Sequence, residues 1–224
     1  MSVTIFVLLL ASIGIRAWRD LSHPEGWSYF QDRSSSSLSF MVLDHIQFDG
    51  ATRRVLAVSG PIRSAAASWL RQKLDEARLE SGDVLLLSSP GGNLDQSLIM
   101  GEEIRRRGLA SAVGVMDGHG HIAPSDCASA CVFIYSGGTK RYGIAGSRLG
   151  VHRFVSTGPD DDPVAETQRT TGQILGYVSR MGIEATMVEA MSKTRAIRWL
   201  DDREALAMNL ITTPLTPRRE GSSD

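Results

Sequence analysis

Residues 83–89 read DVLLLSS, and a Pro-Gly-Gly turn follows at once. The core of this stretch, Val84 to Leu87, is apolar at four successive positions, and such a run is buried on both faces, which is the condition of an interior strand in a parallel sheet. Such a strand needs neighbours on either side and cover above and below. The chain supplies both. Residues 53–60, RRVLAVSG, read as a buried strand closed by a Gly-Pro turn, and residues 109–115, LASAVGV, read as a third strand. Between them lie two helical patterns. Ala67, Leu70, Leu74 and Ala77 fall at helical spacing, and residues 93–108 form a second helix with Gly108 as its stop. Strand–helix–strand–helix–strand predicts an α/β fold with right-handed crossovers.

Beyond residue 129 the pattern is denser. Residues 130–138 read as a helix or buried segment ending at a glycine pair, and residues 147–154 as a strand. Residues 159–163, PDDDP, predict an exposed loop. Residues 164–191 look helical with a break near Gly182, and residues 201–212 have an acidic start and a helical centre. The expected folded body is 41–213, a single core for a chain of 224 residues. A serine-rich linker (21–40) is expected before it and a disordered Pro-, Arg- and Ser-rich tail (214–224) after it.

Residues 1–20 are different. Val3 to Ile15 gives 13 mostly apolar residues without a charge, followed by Arg16 and Arg19. That length suits the core of a signal peptide and is short for a membrane span. Export signal, short membrane anchor and buried first helix all remain open. The arginines favour a cytoplasmic flank if the segment stays embedded, which opposes simple export of the body. The expected location is the cell envelope, periplasmic or membrane-anchored, with membrane association through residues 3–15. A net charge of −1 offers no basic field for nucleic acid.

Three pieces could carry chemistry. The first is the turn at Gly91 and Gly92. Glycine accepts positive φ and leaves its amide bare, and amides at a helix start suit a developing oxyanion. The plainer reading is a βα turn that needs glycine. The second is Ser129, set among small residues in CASAC with the Ala130 amide beside it. The plainer reading is a capping or packing serine. The third is His152, structural unless it meets Ser129, where it could take the hydroxyl proton.

Cys127 and Cys131 are four apart, and on a helix they would stand about 6 Å apart, near the limit for a disulfide. An exported body favours the bond, a cytosolic one buried thiols. The spacing is not that of C-x-x-C redox motifs. Asp117, His119 and His121 alternate and could meet a metal, but a Gly-rich surface loop explains them better. No metal or cofactor is expected.

Together the Pro-Gly-Gly turn, Ser129 38 residues after Gly91, and His152 23 residues after Ser129 resemble the ClpP-type serine peptidases of the ClpP/crotonase superfamily. The matching segments are SSPGGNLDQSLIMGEEI, CASACVFIYSGGTKRYGIAGSRLGVHRF and IRWLDDREALAMNLIT, and the resemblance covers about residues 52–212. It implies repeated β-β-α units with a mainly parallel sheet flanked by helices. It also implies Ser129 as nucleophile, His152 as general base, and an oxyanion hole from Gly91 or Gly92 with Ala130. A peptide or protein substrate and a homo-oligomer would follow. The family's aspartate, about seven residues before the Leu of an aromatic-Leu pair, falls here on Lys193. Glu189, Asp201 or Asp202 could substitute, and Ser192 or Thr194 could hydrogen-bond the imidazole. The lysine also leaves room for an inactive scaffold or binding protein of the same fold at a membrane. A crotonase-like thioester enzyme ranks lower, since no glutamate base is placed for it.

Overall fold

A computed structural model describes residues 3–22, 37–117, 121–154 and 162–215. Its centre is a six-stranded sheet. In spatial order the strands are β1 (Ser39–Phe48), β2 (Ala51–Ser59), β3 (Val84–Ser88), β4 (Ala110–Val113), β8 (Arg141–Ile144) and β11 (Thr213–Leu215). Only β1 runs antiparallel to its neighbour. β3 lies inside, and Val84 through Leu87 are all buried, as an uninterrupted apolar run requires. Leu86 faces Ala57 on one side and Ala112 on the other.

The helices gather on one face of this sheet. Helix α2 (Ala66–Ala77) buries Ala66, Ala67, Leu70, Leu74 and Ala77 against it. Helix α3 (Leu94–Arg106) is capped by the Asn93 side chain, which accepts the Gln96 amide, and Gly108 turns the chain away at φ +68°. Helix α4 (Cys131–Ser136) is buried at every residue. Helices α5 (Pro163–Arg180), α6 (Thr186–Ser192) and α7 (Asp202–Ala207) complete the layer. The break near Gly182 falls between α5 and α6.

Among the described residues the second face is covered by strands. β1 shifts register between Leu43 and Ile46, where His45 has φ 65°. Past that bulge the hairpin curls across the sheet. Phe48 stacks on Tyr142 of β8 with ring centroids 5.2 Å apart, and Lys140 pairs with Asp49 at 3.1 Å. A short hairpin of β5 (Val115–Met116) and β6 (Ile122–Ala123) adds Met116 and Ile122 to the same cluster.

Helix α4 is held closely. A Cβ on Gly101 of α3 would lie 2.7 Å from the Phe133 carbonyl, so the two helices touch backbone to backbone. The Tyr177 hydroxyl donates to that same carbonyl at 2.6 Å, and burial pushes its phenol pKa up. Arg105 donates to the carbonyls of Ser136, Gly137 and Gly138 at the helix end. Arg141 donates to Gly138, Leu210 and Asn209, and burial pulls its guanidinium down to about 10, still charged at neutral pH.

A second sheet of three strands, β10 (Arg198–Leu200), β9 (Arg148–Val151) and β7 (Asp126–Ala128), stands beside the first. Strands β7 and β9 run parallel, with Ala128 opposite Gly150. Residues 129 and 152 therefore leave the same end of neighbouring strands.

The chain departs from the expected boundaries at three places. The body begins with β1 at Ser39, two residues before Met41. The tail does not start at 214: Pro214 and Leu215 pair with β8 at the sheet edge, where a proline's missing N–H costs no ladder bond. The apolar start is helix α1 (Val3–Ser22), and its large side chains are exposed, Leu8 at 65% and Phe6 at 56%, so it is not a buried first helix. Among the described residues no helix is long and apolar enough to cross a membrane. Most of the expected linker and of the 159–163 loop lies outside the described residues.

Candidate active site

The site is assembled by three chain turns. Strand β3 delivers Ser89 alongside β7: the Ser89 amide donates to Asp126 and the Ala128 amide to the Ser89 carbonyl. Gly91 (φ +98°) and Gly92 (φ +141°) then turn the chain toward α3. Backbone pairing with Ile62 fixes the turn, with Ile62 N–H donating to Gly91 at 2.8 Å and Asn93 N–H to Ile62 at 2.9 Å. A Cβ on Gly91 would lie 2.6 Å from the Ala128 carbonyl and 2.8 Å from Ser129 Cβ. Glycine is required there by conformation and by the nearness of Ser129.

The two glycines differ in their amides. Gly91 N–H donates to Ser89 Oγ at 3.1 Å, so it is engaged inward, away from the cleft. Among the described residues the Gly92 and Ala130 amides have no acceptor, and both residues line the cleft with Ser129 and His152. Of the two glycines, Gly92 is therefore the one whose amide has no acceptor among the described residues.

Ser129 occupies the elbow between β7 and α4 at φ 56°. A non-glycine residue held there costs on the order of 1 kcal/mol or more, so its surroundings must impose it. Its amide donates to the Gly150 carbonyl at 2.8 Å. The hydroxyl does not cap α4, whose cap residue is Ala130 with no side-chain bond. Instead Ser129 Oγ lies 2.7 Å from His152 Nε2. The other ring nitrogen, Nδ1, lies 2.7 Å from the Arg153 carbonyl. A carbonyl only accepts, so Nδ1 carries the proton and Nε2 is free to accept the serine hydroxyl. The Arg153 amide in turn donates to the Thr194 carbonyl at 2.9 Å, which anchors the backbone between His152 and Arg153.

Among the described residues none of the carboxylates considered for a third position bonds the histidine. Asp201 caps α7, accepting Glu204 N–H at 2.7 Å. Asp202 lies exposed in the first turn of α7, and Glu189 belongs to the first turn of α6. Ser192 donates to the Glu189 carbonyl and Thr194 Oγ1 to the Ala196 carbonyl. Lys193 is the exposed residue that ends α6. Among the described residues, the group behind the histidine is a main-chain carbonyl.

Ser129 and His152 open into a cleft of about 700 Å³. Phe133, Val151, Ile174, Met187 and Met191 form its apolar lining, with Asn93 and Asp95 on one rim and Thr167, Thr170 and Gln173 of α5 on the other. Gln173 reaches Asp95 across it at 3.4 Å. These α5 residues were not singled out from sequence. Their one signal is the helical spacing of 167, 170 and 173–174.

Cys127 and Cys131 are joined by a disulfide with Cα atoms 5.3 Å apart, both fully buried, on either side of Ser129. Arg148 clips the surrounding strands. It pairs with both Asp126 oxygens at 2.8 and 2.7 Å, holding that carboxyl below its usual range, and stacks on Trp199 at 4.2 Å. His121 lies 3.6 Å from Asp117, and His119 falls outside the described residues. Among the described residues no group of three or more metal-ligating side chains occurs.

No family model matches the chain, and no curated protein matches it. Solved structures do. ClpP1 from Listeria monocytogenes is similar with a TM-score of 0.56 and 18% identity, over 73% of this chain and 92% of that one. A point mutant of the same Listeria monocytogenes ClpP1 is similar at 17% identity with the same TM-score and coverage. At such identity the likeness speaks for the architecture: a mixed α/β protein with a mostly parallel central sheet and a ClpP-like fold.

Proposed function

We propose that this chain is a serine hydrolase that cleaves peptide bonds through an acyl-enzyme on Ser129. The observation that carries the reading is the 2.7 Å contact between Ser129 Oγ and His152 Nε2 at the floor of the cleft. As Oγ attacks the substrate carbonyl carbon, Nε2 takes its proton. The Gly92 and Ala130 amides donate to the oxygen that becomes negative. The tetrahedral adduct then collapses, and the departing amine takes the proton from Nε2. Water, deprotonated by the same nitrogen, releases the acyl group and restores the serine.

The Arg153 carbonyl sets the tautomer this cycle needs but adds no full negative charge behind the imidazolium. A triad with the wrong tautomer loses about 10⁴ in kcat. Here the tautomer is right, so the loss is confined to the missing charge. Labelling with a fluorophosphonate probe tests the proposal. Labelling of the wild-type protein that disappears in Ser129→Ala supports it. A folded wild-type protein that takes no label sinks it.

The same neutral carbonyl favours a second reading, a binding protein that keeps the fold without turnover. In that case Ser129→Ala leaves its biology unchanged while substitutions along the cleft abolish partner binding.

Self-association is proposed from the resemblance to the ClpP-type peptidases, and light scattering on the purified chain measures it. We further propose that α1 seats in lipid at the cell envelope. Its exposed Ile5, Phe6, Leu8, Leu10 and Ile13, followed by Arg16, Trp18 and Arg19, support this. Flotation with vesicles, lost on deleting residues 1–20, checks it.

A further inference from the structure

We infer that the Cys127–Cys131 bridge is the brace that holds Ser129 in its attacking conformation, so the nucleophile is assembled only after the pair has been oxidised. The functional consequence rests on the hydrolase reading above; the conformational claim does not.

Three observations carry it. First, the bond closes the elbow itself. Cys127 lies in β7, Cys131 is the first residue of α4, and Ser129 is midway between them. Second, Ser129 is held at φ 56°, a conformation that persists only where the surroundings enforce it. Hydrogen bonds from the Ala128 and Ser129 amides, to Ser89 and Gly150, grip one side of the turn. The bridge ties its two ends together at a Cα separation of 5.3 Å. Third, both cysteines are fully buried, behind Ala130 and Ser129 at the cleft surface and packed among Ala128 and Val132. A dissolved thiol cannot reach them in the folded protein, so the bond is a permanent part of the site and not a switch cycled in the native state.

Oxidation therefore belongs to folding, and it requires a disulfide-bearing oxidant. One cysteine thiolate attacks a sulfur of that oxidant and forms a mixed disulfide. The second cysteine thiolate then attacks the first cysteine's sulfur, closing the bridge and releasing the oxidant as its dithiol. Two protons leave the cysteines, and two electrons pass to the oxidant. A chain folded without such an oxidant keeps two packed thiols, and its Ser129 turn relaxes.

The test compares three forms: the oxidised protein, the wild-type protein refolded in reductant with both thiols verified by mass, and Cys127→Ala/Cys131→Ala. Hydrogen exchange is followed at the Ala128 and Ser129 amides and in β3, alongside fluorophosphonate labelling. Both unbridged forms are expected to keep β3 protection, to exchange Ala128 and Ser129 at least about tenfold faster, and to label at least about tenfold more slowly. Equal exchange at residues 128 and 129 in all three forms overturns the brace, whatever labelling does. Global unfolding of both unbridged forms overturns it too, because a local brace leaves the core standing. If the exchange difference appears but the oxidised protein takes no label, the brace stands and the hydrolase reading falls.

Discussion

Ser129 and His152 meet at 2.7 Å because they leave the same end of two parallel neighbours, β7 and β9. The contact is a product of strand register, with the serine's hydroxyl turned to a ring whose far nitrogen is already committed to Arg153. Replacing either member tests different halves of the chemistry. Ser129→Ala should abolish fluorophosphonate labelling. His152→Ala should keep the fold and slow labelling by about 10² to 10⁴, the usual worth of a positioned base. Labelling of His152→Ala at the wild-type rate would remove the histidine from the mechanism.

Gly91→Ala should be harmful although Gly91 lends no donor to the cleft. Its φ of +98° disfavours a side chain, and the new methyl would sit 2.6 Å from the Ala128 carbonyl. A loss of about 2 kcal/mol or more in urea denaturation is expected, with slower labelling as the Ser129 turn shifts. A variant as stable as the wild type would show that this turn is softer than the close approach implies.

Lys193→Ala should do little. The lysine is exposed at the end of α6, and among the described residues no group pairs with it. Stability and labelling are expected to stay within about 0.5 kcal/mol of wild type. A large drop in labelling with unchanged stability would place the ammonium in the reaction.

Acid should weaken the fold through Glu103. Hydrogen bonds from Arg106 and Arg107 hold its carboxyl down, from an ordinary 4.5 to about 2, against the opposing effect of burial. A carboxyl depressed in the folded state contributes stability that is present above its unfolded pKa and lost as pH falls through its folded one. The window is therefore pH 4.5 down to 2, and the contribution about 3 kcal/mol. Glu103→Gln should be less stable at pH 7 and should lose this part of the acid slope. Melting curves across that range, parallel for both proteins, would contradict the assignment.

Much of the frame was legible because it obeys simple periodicity. The apolar run Val84–Leu87 of β3, the helical spacing of Ala67, Leu70, Leu74 and Ala77, and the Gly108 stop each follow one simple physical rule. Edges were not legible. Strand β1 carries mixed exposure and a bulge at His45, so it lacks the alternation that marks a strand. Strand β11 contains a proline, which argues against a strand everywhere except at a sheet edge. Within the site, the glycine turn, Ser129 and His152 were singled out only because together they resemble the ClpP-type serine peptidases. The Arg153 carbonyl could not be named, since every residue has one and only the fold decides where it points. Which glycine amide stays free was hidden for the same reason: Ser89 decides it.

The cleft has two walls of different origin. Ser129, Gly92 and Ala130 belong to turns pinned by glycines and a covalent bond, whereas Thr167, Thr170, Met187 and Met191 come from α5 and α6, much later in the chain. On the hydrolase proposal, substitutions in the later helices would reshape what fits without disturbing Ser129 and its donors, so a library confined to α5 and α6 would alter selectivity while labelling of Ser129 persists.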